Sequence, residues 1–286
     1  MAVPLPRGVG LWSGFLDRLP AHDAVAAART IESGGVSTIW LQEFSGVDPF
    51  VRAALYLQGT AELTVALGVA TIHARDPEAT VAAAATLHEA FPGRFLLGLG
   101  TSHRQLAEAR GGRYDRPLSD MRAYLTAMDA AVGRRVLPPR FLGALGPRMV
   151  ELAATATDGL HTYFCPVAHT AATRTAVGAA PWIAPTQLVS LTAAWPDAAR
   201  EYLGFCLAMP NYRNNLRRLG FSDDDLDTAS DRLLDALVVP DEPGALAARI
   251  DAHHAAGADH VVLQFIPPPR AQVVLDRITA EPITPR

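Results

Sequence analysis

The chain has 286 residues, 49% of them apolar and 19% charged, with a formal net charge of −4 at pH 7. This composition fills a sizeable core and excludes a disordered chain. The weak negative charge offers no electrostatic footprint for nucleic acid or an anionic membrane, and no apolar run approaches the roughly 20 residues of a membrane span.

Strand and helix patterns alternate along the chain. Residues 9–11 predict a short strand, and residues 21–33 a helix with Val25, Ala28 and Ile31 on one face and Gly34 placed to stop it. Residues 37–44 form a strand that ends in the carboxylate of Glu43, followed by a helix over 49–60 and a third strand over 63–72. Asp76 supplies an N-cap and Pro77 a first helical residue for an alanine-rich helix to about residue 91.

The stretch from Phe95 to His103 is the most informative. Its apolar residues Phe95, Leu96, Leu97 and Leu99 meet glycine at Gly98 and Gly100, then open into Thr101, Ser102 and His103. An unbroken apolar run of this kind suits a parallel strand covered on both faces. Glycines at its carboxyl end let a flat ligand approach the backbone, and that end is where parallel α/β proteins bind ligands.

A loop with Gly111 and Gly112 leads to a helix over 118–132, a fifth strand over 140–145 and a helix from Pro147 to about residue 157. A sixth strand over 159–164, a helix over 168–177 and a seventh strand over 182–191 follow. Residues 197–237 break the rhythm with two or three helices; Ser222 and Asp225 have capping-box spacing, and Phe221 can staple against Leu226. A helix over 245–256 and an eighth strand over 260–266 complete the pattern, with a fraying tail after Glu281. Eight β-then-α units predict the α/β class, as one (β/α)₈ TIM-barrel domain with a helical insertion after strand seven. The opening residues, from Met1 to Arg7, lack a signal-peptide pattern, and Cys165 and Cys206 suit reduced core thiols; both point to the cytoplasm.

The strand ends supply the candidate chemistry: Glu43 and Phe44, then Ala70 to His73, Thr101 to His103, Ala144 to Arg148, His161 to Tyr163, Gln187 and Gln264. The sequence has no HExxH, cysteine knuckle or carboxylate triad for a metal, no Gly-x-Ser-x-Gly elbow and no Walker loop. Small residues with few charges suit a flat cofactor that brings its own reactivity. The turn Gly143-Ala144-Leu145-Gly146-Pro147-Arg148 offers free N–H groups at a helix start for a phosphate, with Arg148 able to add a charge. An ordinary strand-to-helix loop with proline in the first turn has the same pattern.

His103 is the leading acid–base residue because it follows a strand end and titrates in the useful range; a loop histidine bonded to its own loop is the alternative. Glu43 and His73 are the other candidates. Glu43 alternatively pairs with an arginine such as Arg75, and His73 alternatively caps the following turn through Asp76. Alternation along strand six lets only one set among His161, Thr162 and Tyr163 face inward, and His253 and His254 fall on an outer helix.

Taken in order, Trp40-Leu-Gln-Glu43, Gly68-Val-Ala-Thr-Ile72, Ala74-Arg-Asp-Pro77 and Pro92 through Thr101 resemble the luciferase-like family of flavin and deazaflavin enzymes. The segments Ala144 to Met149, Ala156 to Gly159, Pro210-Asn-Tyr-Arg-Asn214, Arg218 to Ser222 and Ala256 to His260 resemble an actinobacterial subgroup associated with coenzyme F420. The resemblance implies a (β/α)₈ barrel and often a homodimer. It implies a bulge with a non-proline cis peptide at Gly68–Val69, beside Ala70, backing the cofactor ring. It also implies that Gly100, Thr101 and Ser102 flank the ring and ribityl chain, and that Ala144, Leu145, Gly146, Pro147 and Arg148 hold the phosphate. The sugar-phosphate dehydrogenases of this family carry a histidine directly after the strand-two carboxylate, where this chain has Phe44. The implied activity is hydride transfer between coenzyme F420 and a small organic substrate. An FMN-dependent monooxygenase is the alternative, and a non-catalytic flavin- or deazaflavin-binding barrel is a third reading.

Overall fold

The computed structural model describes residues 5–44, 46–192 and 195–280; the tail from Glu281 and the residues before Leu5 lie outside them. The barrel strands are β1 (Gly8–Trp12), β2 (Thr38–Leu41), β3 (Thr64–Leu67), β5 (Phe95–Gly100), β6 (Arg140–Gly143), β7 (Gly159–Thr162), β8 (Trp182–Ser190) and β10 (His260–Ile266). All pair in parallel in that order, and β10 returns to both β1 and β8, which closes the ring. Two short strands are added. β4 (Ala70–Thr71) continues β3 beyond a cis Gly68–Val69 peptide and pairs with β5, so the third strand comes in two pieces rather than as one run. β9 (Val238–Pro240) takes up the distal edge of β8 after β7 has ended, which keeps that edge paired.

The outer layer consists of α1 (Ala21–Ser33), α2 (Pro49–Gly59), α3 (Pro77–Ala90), α5 (Pro117–Ala131), α6 (Pro147–Ala156), α7 (Val167–Val177), α12 (Pro243–Ala255) and α13 (Ala271–Ala280). Their starts follow local chemistry: Asp48 accepts the Phe50 and Val51 N–H groups, and Asp76 accepts that of Ala79. The insertion after the seventh barrel strand contains four helices, more than the two or three expected: α8 (Trp195–Leu207), α9 (Pro210–Arg218), α10 (Asp223–Thr228) and α11 (Asp231–Leu237). The Ser222–Asp225 capping box forms as the spacing predicts. These helices share a separate apolar core, including Leu203, Leu216 and Leu234, which rests on Phe164, Leu188 and Ile266 at the ends of β7, β8 and β10. A short helix, α4 (Arg104–Ala109), also escaped the sequence pattern, as did α13 and β9.

Alternation sorts the strand side chains into two cores. Leu11, Ile39, Val65, Leu97, Leu142, Leu160, Ile183 and Leu263 face the helices. Trp12, Trp40, Ala66, Leu96, Phe141, Trp182, Ala184 and Val262 face the axis. The axial group is unusually aromatic. Trp40 and Trp182 stack with centroids 5.9 Å apart and planes within 9°, and His161 and His260 lie 4.8 and 5.8 Å from Trp40. Rings of this size fit because glycines face them. A Cβ on Gly98 would lie 1.9 Å from Leu67 O and 2.5 Å from Phe141, and one on Gly10 would lie 2.4 Å from His260 Nε2.

Three core histidines are held neutral. Burial pushes His161 and His253 down to about 4 and His260 to about 3. Trp40 Nε1–H donates to His260 Nε2 at 3.2 Å. His253 is fully buried between Thr170 and Gln187, which corrects its placement on the outer surface.

Gly98→Ala should destabilise the fold by about 1–3 kcal/mol or more, seen as a lower urea midpoint, because the new methyl meets backbone. Gly204→Ala, in a helix with nothing within 4 Å of its Cβ position, should be neutral or stabilising by up to about 1 kcal/mol. Acid should act through the histidines. Unfolded, they titrate near about 6.5, so between there and pH 4 the unfolded chain binds more protons than the folded one. Stability should hold above about pH 7 and fall below it, by about 1.4 kcal/mol per histidine per pH unit. A urea midpoint unchanged from neutral pH to about pH 5 would contradict this.

Candidate active site

The axial rings fill the lower barrel, so open space remains only toward the carboxyl ends of the strands. A cavity of about 320 Å³ opens there. Its floor is Trp12 and His161; its walls come from the ends of β2, β3, β5, β6 and β7; α8 and α9 cover it with Tyr202, Phe205, Cys206, Asn211 and Tyr212. The insertion therefore roofs the site.

One wall is a ledge built around Val69. The bulge at Gly68 turns Val69 toward β5, where a Cβ on Gly100 would lie 2.4 Å from Val69 Cγ2, and one on Gly143 would lie 3.4 Å from Cγ1. Glycine at both positions makes room for the valine methyls, and Val69 lines the cavity half-buried. Glu43 anchors the ledge from below: its carboxylate accepts the Thr71 N–H at 2.8 Å and Arg75 Nη1 at 2.7 Å, with 4% of its side chain exposed. Arg75 also pairs with Asp48 and lies 4.8 Å above the Phe50 ring.

The opposite side carries His103. Ser102, at φ 59, turns the end of β5 left-handed, a conformation rare outside glycine, and its carbonyl accepts the Tyr114 hydroxyl at 3.0 Å. His103 then points under the insertion. Its Nδ1 lies 3.0 Å from Asn211 Oδ1, and its Nε2 lies 3.3 Å from the Tyr212 hydroxyl. Asn211 Oδ1 only accepts, so Nδ1 carries the proton and Nε2 keeps its lone pair. Burial lowers the His103 pKa, partly opposed by the Asn211 hydrogen bond.

A second polar group lies deeper. The hydroxyls of Tyr163 and Tyr202 are 2.6 Å apart, and Gln264 Nε2–H donates to Tyr202 at 2.8 Å. Burial holds both phenols and that of Tyr212 above their ordinary range, and pushes Cys206 up to about 12. Neither Cys206 nor buried Cys165 is an activated nucleophile at neutral pH. His161 Nδ1–H donates to Ala184 O at 2.8 Å, while its buried Nε2 has no partner and can accept a hydrogen bond from a ligand.

Of the sequence candidates, Glu43, Gly68, Val69, Gly100, Thr101, Ser102, His103, Ala144, Leu145 and Gly146 reach the cavity wall. Four do not. Ala70 packs outward among the helices because it alternates with Val69. His73 leans toward Tyr114 and Gly112, outside the cavity. Pro147 begins α6, and Arg148, one residue later, is exposed. The cation beside that turn is Arg218 instead, whose Nη2 lies 3.5 Å from a Cβ position on Gly146 and 3.0 Å from Asn215 Oδ1. Arg218, Asn211 and Tyr212 belong to the motifs that carry the family resemblance, but their spacing gives no sign that the insertion folds back over β5 and β6.

The arrangement can hold a flat ring on the valine ledge, offer backbone N–H groups to an anion at the start of α6, and move one proton at His103. The orphaned acceptor of His161 and the glycine-cleared ledge fit a flavin-like heteroaromatic ring.

The sequence model of the luciferase-like monooxygenase family matches residues 13–260. A protein of Mycobacterium tuberculosis named for coenzyme F420-dependent oxidoreduction is 27% identical over 186 residues, 53% of this chain and 54% of that protein. The chain spans about half the length of the curated relatives it matches. An F420-dependent secondary alcohol dehydrogenase, solved with an F420–acetone adduct, shares the fold with TM-score 0.76, at 14% identity, over 99% of this chain and 100% of that one. The FMN-bound oxygenating component of a type II Baeyer–Villiger monooxygenase from Pseudomonas putida shares it with TM-score 0.63, at 15% identity, over 91% of this chain and 92% of that one.

The hydrogen bond at His103 Nδ1 makes its titration adjustable. Asn211→Asp should raise the His103 pKa by about one unit or more, because a carboxylate then faces the ring. An NMR titration of the imidazole protons measures this directly, and an unmoved midpoint would break the proposed contact.

Proposed function

The chain belongs to the luciferase-like monooxygenase family, and from that membership we propose that it is an oxidoreductase moving a hydride between coenzyme F420 and a small organic molecule. The observation that carries the reading is the pairing of the valine ledge with His103 across one roofed cavity. The F420-named relative and the F420-dependent structural neighbour support this cofactor. Bound coenzyme F420 supplies a two-electron hydride centre at C5 of its deazaflavin ring.

The chain's own residues supply the rest. Gly68, Val69 and Gly100 hold the ring, with Thr101 and Ser102 beside it. The free backbone N–H groups of Leu145 and Gly146 would face the phosphate, with Arg218 nearby, whereas the Ala144 N–H donates to His161 O at 3.0 Å, which corrects its expected place in the phosphate turn. Nε2 of His103 accepts the proton released when a substrate is oxidised, or returns it when one is reduced. Asn211 keeps that nitrogen unprotonated by fixing the tautomer, and Tyr212 gives the proton a neighbouring oxygen. Glu43 acts as a positioning residue, because both of its oxygens are committed to Thr71 and Arg75. The roof from α8 and α9 would shield one side of a bound ring from solvent.

The same reading takes the chain as one barrel domain working in the cytoplasm. It is supported by two buried free cysteines and by the lack, among the described residues, of any helix long and apolar enough to cross a membrane. Exposed Val51 and Leu55 on α2 suit a homodimer face. FMN is the rival cofactor, favoured by the FMN-bound neighbour of the same fold.

Quenching of cofactor fluorescence separates the two. Coenzyme F420 should bind in the micromolar range and FMN more weakly; micromolar FMN binding with no F420 binding would refute the choice. In the F420-loaded enzyme, His103→Ala should cut turnover by about 100-fold or more while F420 affinity changes little. F420 binding without hydride exchange across a broad substrate panel would favour a binding protein over an enzyme.

A further inference from the structure

The charge of the cavity wall limits what can sit beside the cofactor, given the F420 reading. The sequence contains no lysine, so arginine is its only permanently charged basic side chain. Among the described residues no arginine lines the cavity. The single carboxylate in the wall, Glu43, is neutralised by Arg75 at 2.7 Å. The start of α6 is the anion-favouring part of the wall, and the cofactor phosphate takes it. Burial keeps His103 neutral and the three phenols and Cys206 protonated. With the cofactor in place, the remaining wall offers hydrogen bonds but no charge.

Its surface is apolar. Leu106, Met149, Phe205 and Met209 line the space under the roof. Phe205 and Phe44 are also 56% and 44% exposed, so large apolar rings stand at the entrance. The guanidinium groups beside them, Arg110 on the Phe44 carbonyl and Arg104 over the Tyr114 ring, do not line the cavity. A carboxylate or phosphate moved into such a space loses its hydration without gaining a counter-charge, and that loss costs several kcal/mol.

We propose that the substrate is an uncharged, largely apolar molecule bearing one hydrogen-bonding group, which meets the His103–Tyr212 pair while its body packs on Leu106, Met149, Phe205 and Met209. Sugar phosphates and carboxylic acids fall outside this class, because nothing in the wall compensates their charge.

Matched pairs test it: acetophenone against phenylglyoxylate, benzyl alcohol against benzyl phosphate, and cyclohexanol against cyclohexyl phosphate. Binding to the F420-loaded protein is read from quenching of tryptophan fluorescence, with Trp12 in the cavity floor as reporter. The neutral member of the pairs should bind at least about tenfold more tightly. Phe205→Arg should narrow that gap by tightening the anionic members, while circular dichroism checks that the variant is folded. Equal or tighter binding of the anions, or no binding by any member, would overturn the proposal. Titration with F420 alone is read separately. A protein that keeps the neutral preference without binding F420 would support the substrate class and remove the cofactor assignment.

Discussion

The structure depends on the filling of its barrel axis by stacked rings around Trp40. Trp182, Phe141, His161 and His260 lie within about 6 Å of that indole, and glycines on the strands make room for them. Close packing of such rings makes the lower barrel a solid floor rather than a channel. The site is displaced to the carboxyl ends as a result. The floor also fixes the protonation of its histidines: a charged imidazole among indoles would be badly solvated, so His161 and His260 remain neutral, and His161 presents an acceptor to the cavity.

The same low-polarity surroundings set the chemistry above the floor. Phenols, a thiol and an imidazole converge there, and burial pushes each toward its uncharged form. Such groups can hold and pass a proton at His103 and offer neutral hydrogen bonds, but they supply no permanent counter-charge. That limit suits an enzyme whose electron-transfer step is carried by a bound cofactor, and it suits a neutral substrate. The insertion completes the design. Its own apolar core packs α9 over the end of β5, so that Asn211 and Tyr212 meet His103 from a segment more than a hundred residues away in sequence.

Much of the barrel was legible because apolar runs such as Phe95–Gly100 and caps such as Asp76 act locally. The break in the third strand was legible through the family resemblance at Gly68–Val69, although periodicity alone showed one continuous strand. β9 and α13 were missed because a three-residue strand and an unremarkable C-terminal helix leave little periodic signal. At the site, the strand ends could be named from sequence, but which way each residue faces could not: Val69 faces the cavity, whereas Ala70, expected beside it at the cofactor, turns outward. Long-range partners could not be listed. Arg218 replaces Arg148 beside the α6 turn, and Asn211 reaches His103, only because the insertion folds back over the barrel. His253 was misplaced for a similar reason: its helix is outer, but the side chain faces Gln187 on β8.

A crystal structure of the protein soaked with coenzyme F420 tests the central claim most directly. The account predicts ring density on the Val69 ledge beneath α9, in contact with Gly100 and with His103 at its edge, and phosphate density at the start of α6. Ring density elsewhere, or a cavity that admits FMN and never F420, would contradict it.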